Sequence, residues 1–390
     1  MTMDLCNDEL CTGCAACANS CPNQCIQMLR DEEGFLRPVV DTTDCTACET
    51  CQKACPILNL GDHSADTTTA YAAIHKDDAI RRDSTSGGVF SLLCQWVFDH
   101  GGVVFGAAYA EDFSVEHRCV RSMEALSVLR SAKYAQSRLG YSYQDVKQLL
   151  SAGQYVLFSG TPCQVGGLRA FLGKEYKTLI LVDLICHGVP SPAVWARYIH
   201  YRSNTDASGA APTAINLRSK ETGWPGYSVR FDYENGLHYS ARNSEDPFMR
   251  CFIGNLCLRP SCYDCRFKGI SRSSDFTLGD YWGVWSQLSE YNDGKGTSLV
   301  LLHSERARRL WNQLQTQLQC RPVSLPECLD ENPSALASAA CPENRSAFMS
   351  RYAGEDFQTL AEEFLPQPAA KAAQPSFLRR AAGKLKRLVR

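Results

Sequence analysis

The sequence predicts two unlike parts: a small module whose core is metal rather than hydrocarbon, then a larger α/β body with an antiparallel portion. Three observations carry this. A cysteine run near the N-terminus is repeated once, β-like and helix-like segments alternate from Ala70 onward, and Asn235-Gly236 interrupts a stretch of alternating apolar and polar residues.

The module comes first. Ten of the 21 cysteines lie between Cys6 and Cys55, where apolar and aromatic residues are few, so metal ligation has to replace the missing hydrophobic core. Cys11-x2-Cys14-x2-Cys17-x3-Cys21-Pro22 recurs as Cys45-x2-Cys48-x2-Cys51-x3-Cys55-Pro56, offset by 34 residues. This is the spacing of bacterial two-cluster ferredoxins, in which three close thiolates cap one [4Fe-4S] cubane and the fourth cysteine of each run reaches across to the other. It assigns Cys11, Cys14, Cys17 and Cys55 to one cluster and Cys45, Cys48, Cys51 and Cys21 to the second. Zinc is the competing reading, but a zinc site takes four thiolates, usually from two separated C-x2-C pairs, and two complete four-cysteine runs exceed that need. Cys6 and Cys25 fall outside the pattern and read as packed free thiols. The module spans 1–58, and the polar, Thr-rich 59–69 reads as a linker.

In the body, the pattern predicts strands over 71–75, 103–109, 155–158 and 178–185 and helices over 88–99, 123–130, 144–150, 165–172 and 193–202. Such alternation buries a sheet between helices. Residues 227–240 alternate around Asn235-Gly236, a strong hairpin signal, so the fold class is α/β with α+β character. Regular patterning fades after about 350 into a Pro- and Ala-rich linker, 351–375, followed by a distinct basic tail.

Charge excludes some functions. Forty basic against 42 acidic side chains leave a net charge of -2, so nothing in the bulk favours nucleic acid. The first ten residues lack the cationic and apolar order of a signal peptide, and apolar runs such as 179–186 are short and interrupted by Asp183. Twenty-one cysteines in such a chain point to metal or redox chemistry in a reducing compartment, so the cytoplasm is the expectation.

Several segments of the body exceed what propensity explains. Ser84-Thr85-Ser86-Gly87-Gly88 precedes an apolar helix, which reads either as an anion-binding N-terminus or as a Ser/Thr cap with a tight glycine entry. Cys163 and Cys186 follow consecutive predicted strands, where open α/β sheets place ligand sites, and Cys262-x2-Cys265 follows Cys257. STSGGVF, KYAQS (133–137), FSGTPCQV, DLICHGVPSP, LRPSCYDCRFK and SDFTLGDYWG together resemble the beta subunits of coenzyme F420-reducing hydrogenases and dehydrogenases, the FrhB/FdhB-type family. The resemblance runs from about residue 70 to at least 303, and a two-cluster module is a common attachment in that family. It implies an N-terminal-type domain over 70–150, a C-terminal-type domain over 151–350, a mixed α/β fold that binds FAD, and a third [4Fe-4S] cluster.

Carried over by residue, the resemblance proposes Cys163, Cys186, Cys262 and Cys265 as ligands of the third cluster, with Cys257 as competitor for the fourth position. It proposes Ser84, Ser86, Gly87, Gly88, Lys133 and Tyr134 as flavin contacts. Against it stands the reading of Cys163 and Cys186 as buried small residues and of Cys262-x2-Cys265 as a zinc knuckle. His187 is either a proton donor to substrate or a hydrogen-bonding turn residue. Asp280, Tyr281 and Trp282 line a pocket or simply pack.

The expected function is an iron-sulfur flavoenzyme passing electrons between a ferredoxin or other redox protein and a small organic substrate, with direction open. F420 itself is not implied. Relatives beside polysaccharide-biosynthesis genes raise a surface-polymer precursor. The rivals are a non-catalytic electron-transfer subunit and a binding protein with structural clusters. Residues 376–390 place Phe377, Leu378, Ala381, Leu385, Leu388 and Val389 on one helical face and cations on the other. This pattern suits peripheral contact with the inner membrane surface, a disordered basic tail, or a helix docked on the protein itself.

Overall fold

The computed structural model describes residues 5–59 and 68–365; the basic tail and most of the expected first linker lie outside them. In the N-terminal module, β1 (Ile26–Arg30) and β2 (Leu36–Val40) form an antiparallel hairpin beside two short helices, α1 (Ala16–Ser20) and α2 (Thr50–Lys53). Its buried core is Ala18, Cys21, Cys25, Ile26 and Cys51, more sulfur than hydrocarbon. The sequence repeat is also a backbone repeat. Gly13 and Ala15 in the first run, and Ala47 and Glu49 in the second, all take positive φ, between 53° and 66°.

The body is built on one mixed sheet of eight strands, ordered β13-β3-β12-β11-β7-β6-β4-β5. Its strands are β3 (Thr69–His75), β4 (Val103–Tyr109), β5 (Val115–Val120), β6 (Val156–Ser159), β7 (Leu179–Leu184), β11 (Phe276–Asp280), β12 (Ser298–Leu302) and β13 (Leu318–Val323). β4, β6, β7 and β11 are parallel neighbours, and β3 runs with them because both β3 and β11 pair antiparallel to β12. Val156 to Phe158 and Leu179 to Val182 are continuously buried, as strands covered on both faces must be.

The helices divide between the faces. After the short α3 (Asp78–Arg82), α4 (Val89–Asp99) and α9 (Glu305–Leu314) pack Leu92, Leu93, Val97, Leu310 and Trp311 against one face. On the other, α5 (Ser142–Ser151) and α6 (Pro162–Leu172) bury Val146, Leu150, Val165 and Leu168. Cys14, Ala15 and Ala16 join that second core, so the first cysteine loop is part of the body's own packing. α6 opens on a capping box of Thr161 and Gln164 with Pro162 in the first turn. A second, antiparallel sheet of β8 (Pro212–Ser219), β9 (Ser228–Tyr233) and β10 (His238–Arg242) shares a core with α7 (Pro192–Ala207) and α8 (Pro247–Ile253) through Trp195, Tyr198, Phe231 and Phe248.

The β9–β10 hairpin turns at Asn235-Gly236 as the sequence predicts. The helix expected over 123–130 is instead a 3-10 turn, Ala125–Leu129. Segments 70–150 and 151–350 both contribute strands to the eight-stranded sheet. No helix among the described residues is long and apolar enough to cross a membrane.

The module is seated on the body by the turn of its hairpin. Arg345 donates to both Glu33 carboxylate oxygens at 2.8 and 2.5 Å, and Ser191 Oγ donates to the Glu33 carbonyl. Gly34, at φ 83°, lies so close to α7 that an added Cβ would stand 2.5 Å from Ala193 Cβ. Only glycine tolerates both conditions.

Candidate functional site

The N-terminal cysteines gather in two groups at different depths. Cys21, Cys45, Cys48 and Cys51 line one cavity, together with Cys25, whose Sγ is 3.3 Å from Cys21 Sγ. Cys48 is exposed and Cys45 half-buried, and Glu49 is the charged residue on this lining. Cys11, Cys14 and Cys55 are buried. Cys6 bridges Cys11 and Cys55; its hydrogen bonds hold the Cys11 thiol down to about 5 and the Cys55 thiol down to about 6. Sequence spacing offered no place for Cys6 or Cys25, yet each touches a proposed ligand.

The residues fit clusters. Positive φ at alternate positions of each loop turns successive N–H groups toward a shared concavity, a geometry that suits anions and iron-sulfur sites. Among the described residues no three His, Cys, Asp or Glu groups converge to hold a single metal ion.

The third set lies in the body. Cys163, Cys186, Cys262 and Cys265 line a single cavity at the C-terminal ends of β6 and β7. The loop after β7 pairs with the Cys257–Cys262 segment: Ser191 N–H donates to the Cys257 carbonyl at 2.8 Å, Arg259 N–H to the Val189 carbonyl at 2.9 Å, and Val189 N–H to Cys262 Sγ at 3.4 Å. Cys257 does not reach this lining and is fully buried in the apolar core around Cys251. Burial pushes the Cys163 thiol up to about 11 and the Cys262 thiol up to about 12, so metal bonding is what would keep these sulfurs as thiolates.

The lining also carries three cations. Arg259, Lys268 and Arg272 face the cavity and no carboxylate does. Two buried donors on it, Thr12 Oγ1 and Arg259 Nη1, have no hydrogen-bond partner. Arg272 is paired with buried Asp183 at 3.8 Å, whereas Arg259 and Lys268 have no carboxylate partner among the described residues; unpaired donors and the remaining positive charge are what an anionic cluster with acceptor sulfurs would satisfy.

α6 holds this site against the module. Gly166 and Gly167 are adjacent glycines in a helix interior, normally a cost. An added Cβ at Gly167 would stand 3.0 Å from Cys14 Sγ, and one at Gly166 2.7 Å from Phe267 in the Cys265 loop. The helix that begins at Pro162-Cys163 therefore touches both the first cysteine loop and the third set.

His187 is on the wall of the third cavity, with Nε2 2.7 Å from Asn255 Oδ1 and Nδ1 3.4 Å from Ser334 Oγ. Burial lowers its affinity for a proton.

The expected flavin contacts lie farther along the same edge of the sheet. Gly87 N–H donates to Ser298 Oγ at 2.9 Å, and an added Cβ there would meet the Ala73 carbonyl at 2.2 Å, so this glycine serves close backbone packing. Ser84 Oγ donates to the Ile80 carbonyl and Ser86 Oγ to the Thr297 carbonyl, both at 2.7 Å. Gly88, at φ 93°, caps α4 with no side-chain hydrogen bond, which leaves first-turn N–H groups for solvent or a ligand. Lys133 Nζ donates to the carbonyls of Val128, Arg130 and Ser131, and burial pushes it down to about 7. The Tyr134 ring packs 4.7 Å from that of Phe252, tilted by 31°.

Between these two groups lies a cluster of which the sequence singled out only Asp280 and Trp282. Arg218 pairs with Asp280 at 2.8 Å, Trp224 Nε1 donates to the same carboxylate at 3.0 Å, and Trp224 stacks on Trp282 at 5.0 Å. Lys220 Nζ donates to the Ser86 carbonyl at 3.1 Å. Arg218, Lys220 and Trp224 belong to β8 and its following turn, which carry no motif.

Residues 153–325 match the family described as the C terminus of the coenzyme F420 hydrogenase/dehydrogenase beta subunit, and residues 10–58 match the 4Fe-4S dicluster domain. The chain carries that beta-subunit domain behind a dicluster module. The first match relates residues 153–325 to an oxidoreductase family, and the second relates residues 10–58 to iron-sulfur dicluster modules. All four cysteines of the third set fall inside the beta-subunit match, whereas Ser84 to Gly88 and Lys133-Tyr134 precede it. Among solved structures, a chain of the F420-reducing [NiFe] hydrogenase complex from Methanosarcina barkeri is similar at a TM-score of 0.45 and 16% identity, covering 70% of this chain and 91% of that one. No curated protein sequence matches the chain.

Proposed function

We propose that this chain is an iron-sulfur flavoprotein oxidoreductase that relays electrons between a ferredoxin or other redox protein and a small organic substrate. The observation that carries the reading is the succession of three thiol sets, from exposed Cys48, through Cys11 and Cys14 buried against α6, to the four-cysteine cavity at the strand ends. Clusters supply one-electron steps and a flavin would convert them to hydride equivalents.

The chain's residues divide the work. Cys45 and Cys48 present the outer set to a partner at the surface. Cys163, Cys186, Cys262 and Cys265 would hold the third cluster, with Arg259, Lys268 and Arg272 balancing its charge. Ser84, Ser86, Gly87, Gly88, Lys133 and Tyr134 are the proposed FAD contacts, the uncapped first turn of α4 offering N–H groups to phosphate. Arg218 and Lys220 supply further positive charge on that edge. His187, held neutral by burial and oriented by Asn255, is the proposed acid-base group. A surface-polysaccharide precursor is the substrate class proposed, and residues 376–390 are proposed to bring the cytoplasmic protein to an anionic membrane surface. Co-sedimentation with anionic liposomes that survives deletion of 376–390 would remove that last part.

Anaerobic purification, flavin extraction, iron and sulfide counts and a dithionite titration test the reading. About twelve irons with flavin are expected, four per cubane; about eight without flavin would contradict it. The description of the matched family in terms of beta subunits favours a second reading, a non-catalytic subunit docked on a separate catalytic protein. Reduction of dyes alone by the isolated chain supports that reading, and turnover of a small substrate excludes it.

A further inference from the structure

Arg259 is a fully buried cation with no carboxylate against it. It is 1% exposed. Its backbone carbonyl accepts from Cys262 N–H at 2.9 Å, which shapes the turn carrying the third set. Its side chain crosses into the module, where Nε donates to the Cys11 carbonyl at 2.7 Å and Nη2 to the Leu36 carbonyl at 2.9 Å, with Cys11 Sγ 3.8 Å away. Nη1 is buried and unpaired, and the residue lines the third cavity. Asp31, the nearest acid to influence it, is already engaged by Arg37 at 2.9 Å.

An isolated buried guanidinium is unstable unless negative charge compensates it. Here the compensation is available on two sides, from the thiolates of the Cys11 set and from those of the third set. We propose that Arg259 is an electrostatic bridge that raises the reduction potentials of the two clusters it separates and so keeps an electron transferable between them. The proposal rests on the third-cluster assignment above.

The physical basis is simple. Reduction adds one electron and one negative charge to a cluster, a nearby fixed cation stabilises that form, and net charge and hydrogen bonds to sulfur are among the terms that set cluster potentials. Lys268 and Arg272 also line the third cavity, but Lys268 donates to the Cys186 and Ser334 carbonyls and Arg272 to the Phe267, Gly269 and Ala335 carbonyls. Both remain within the body, whereas Arg259 reaches both sets. The outer set has only Glu49 as a charged lining residue and lies beyond this bridge. No proton or bond change is required for the transfer, and dithionite supplies the electrons in the test.

The full-length protein, Arg259→Met and Arg259→Gln are prepared anaerobically, assayed for iron and sulfide, and titrated with dithionite under EPR detection. Gln retains a donor for the Cys11 carbonyl and carries the test if Met loses iron. With full iron, the neutral variants are expected to weaken reduction of two of the three couples at least tenfold, about 59 mV for a one-electron couple, and to leave the outer couple in place. Arg259→Lys is expected to recover part of the shift. Unshifted couples at full iron, or an equal shift of all three, overturn the bridge while leaving the third cluster intact. About eight irons in the unmodified protein overturn the third cluster and the bridge together.

Discussion

His117 is engaged at both ring nitrogens. Its Nδ1 is 2.6 Å from Ser137 Oγ and its Nε2 3.0 Å from the Ser159 carbonyl, so the proton sits on Nε2, and burial pushes the imidazole down to about 4. A depressed value means that the unfolded chain takes up the proton first. This contribution to stability is therefore present above about pH 6.5 and lost as pH falls toward 4, amounting to about 3 kcal/mol. Anaerobic urea unfolding at a series of pH values is expected to show a shallower acid slope for His117→Gln than for the unmodified protein; parallel slopes would contradict the assignment. At this scale the sequence was legible where a residue repeats a pattern, as for the eight cysteines of the paired runs. Cys6 and Cys25 show the limit: their contacts with Cys11, Cys55 and Cys21 arise from chain folding, and spacing carries no trace of them.

Among the elements, the β1–β2 hairpin and α6 decide how the module meets the body. Arg345 and Glu33 are 312 residues apart in sequence, and their paired hydrogen bonds fasten the hairpin turn beside α7. Removing a charge-assisted pair in this half-buried position costs about 2 kcal/mol. Arg345→Ala is thus expected to raise amide hydrogen exchange across 26–40 while the strands of the large sheet keep their protection. Unchanged exchange in the hairpin would show that the pair is dispensable. The pattern located α4 to α7 because each carries periodic apolar residues, with local caps at α6 and α7. It missed β5 and β8, although each pairs with an adjoining strand, and β12 and β13, whose partner β3 lies far back in the chain; it made a helix of the 3-10 turn at Ala125–Leu129 and read as linker a segment that holds the helix Phe357–Phe364, where Phe357, Leu360 and Ala361 are buried. The adjacent Gly166 and Gly167 look unfavourable in a helix until Cys14 and Phe267 are seen against them.

For the molecule as a whole, the two parts draw stability from different sources. The large sheet has apolar cores on both faces, whereas the core of 5–59 is chiefly cysteine. Stripping iron with an oxidant and chelator is expected to make 5–59 sensitive to protease while the body resists, since ligation supplies the folding energy of such modules. Uniform digestion of the whole chain would show instead that the body depends on its metal as well. The module is not independent of the body in position, because Cys14 to Ala16 share the core beneath α5 and α6.

The sequence by itself determined the cluster module, the alternating body and the short motifs, because each rests on contacts between residues close along the chain. Only the tertiary structure brought Cys163, Cys186, Cys262 and Cys265 to one cavity, excluded Cys257 from it, and set Arg259 between that cavity and Cys11. Those outcomes depend on sheet order and on helix approach through Gly166 and Gly167, which are settled by packing between distant segments and leave no periodicity to read.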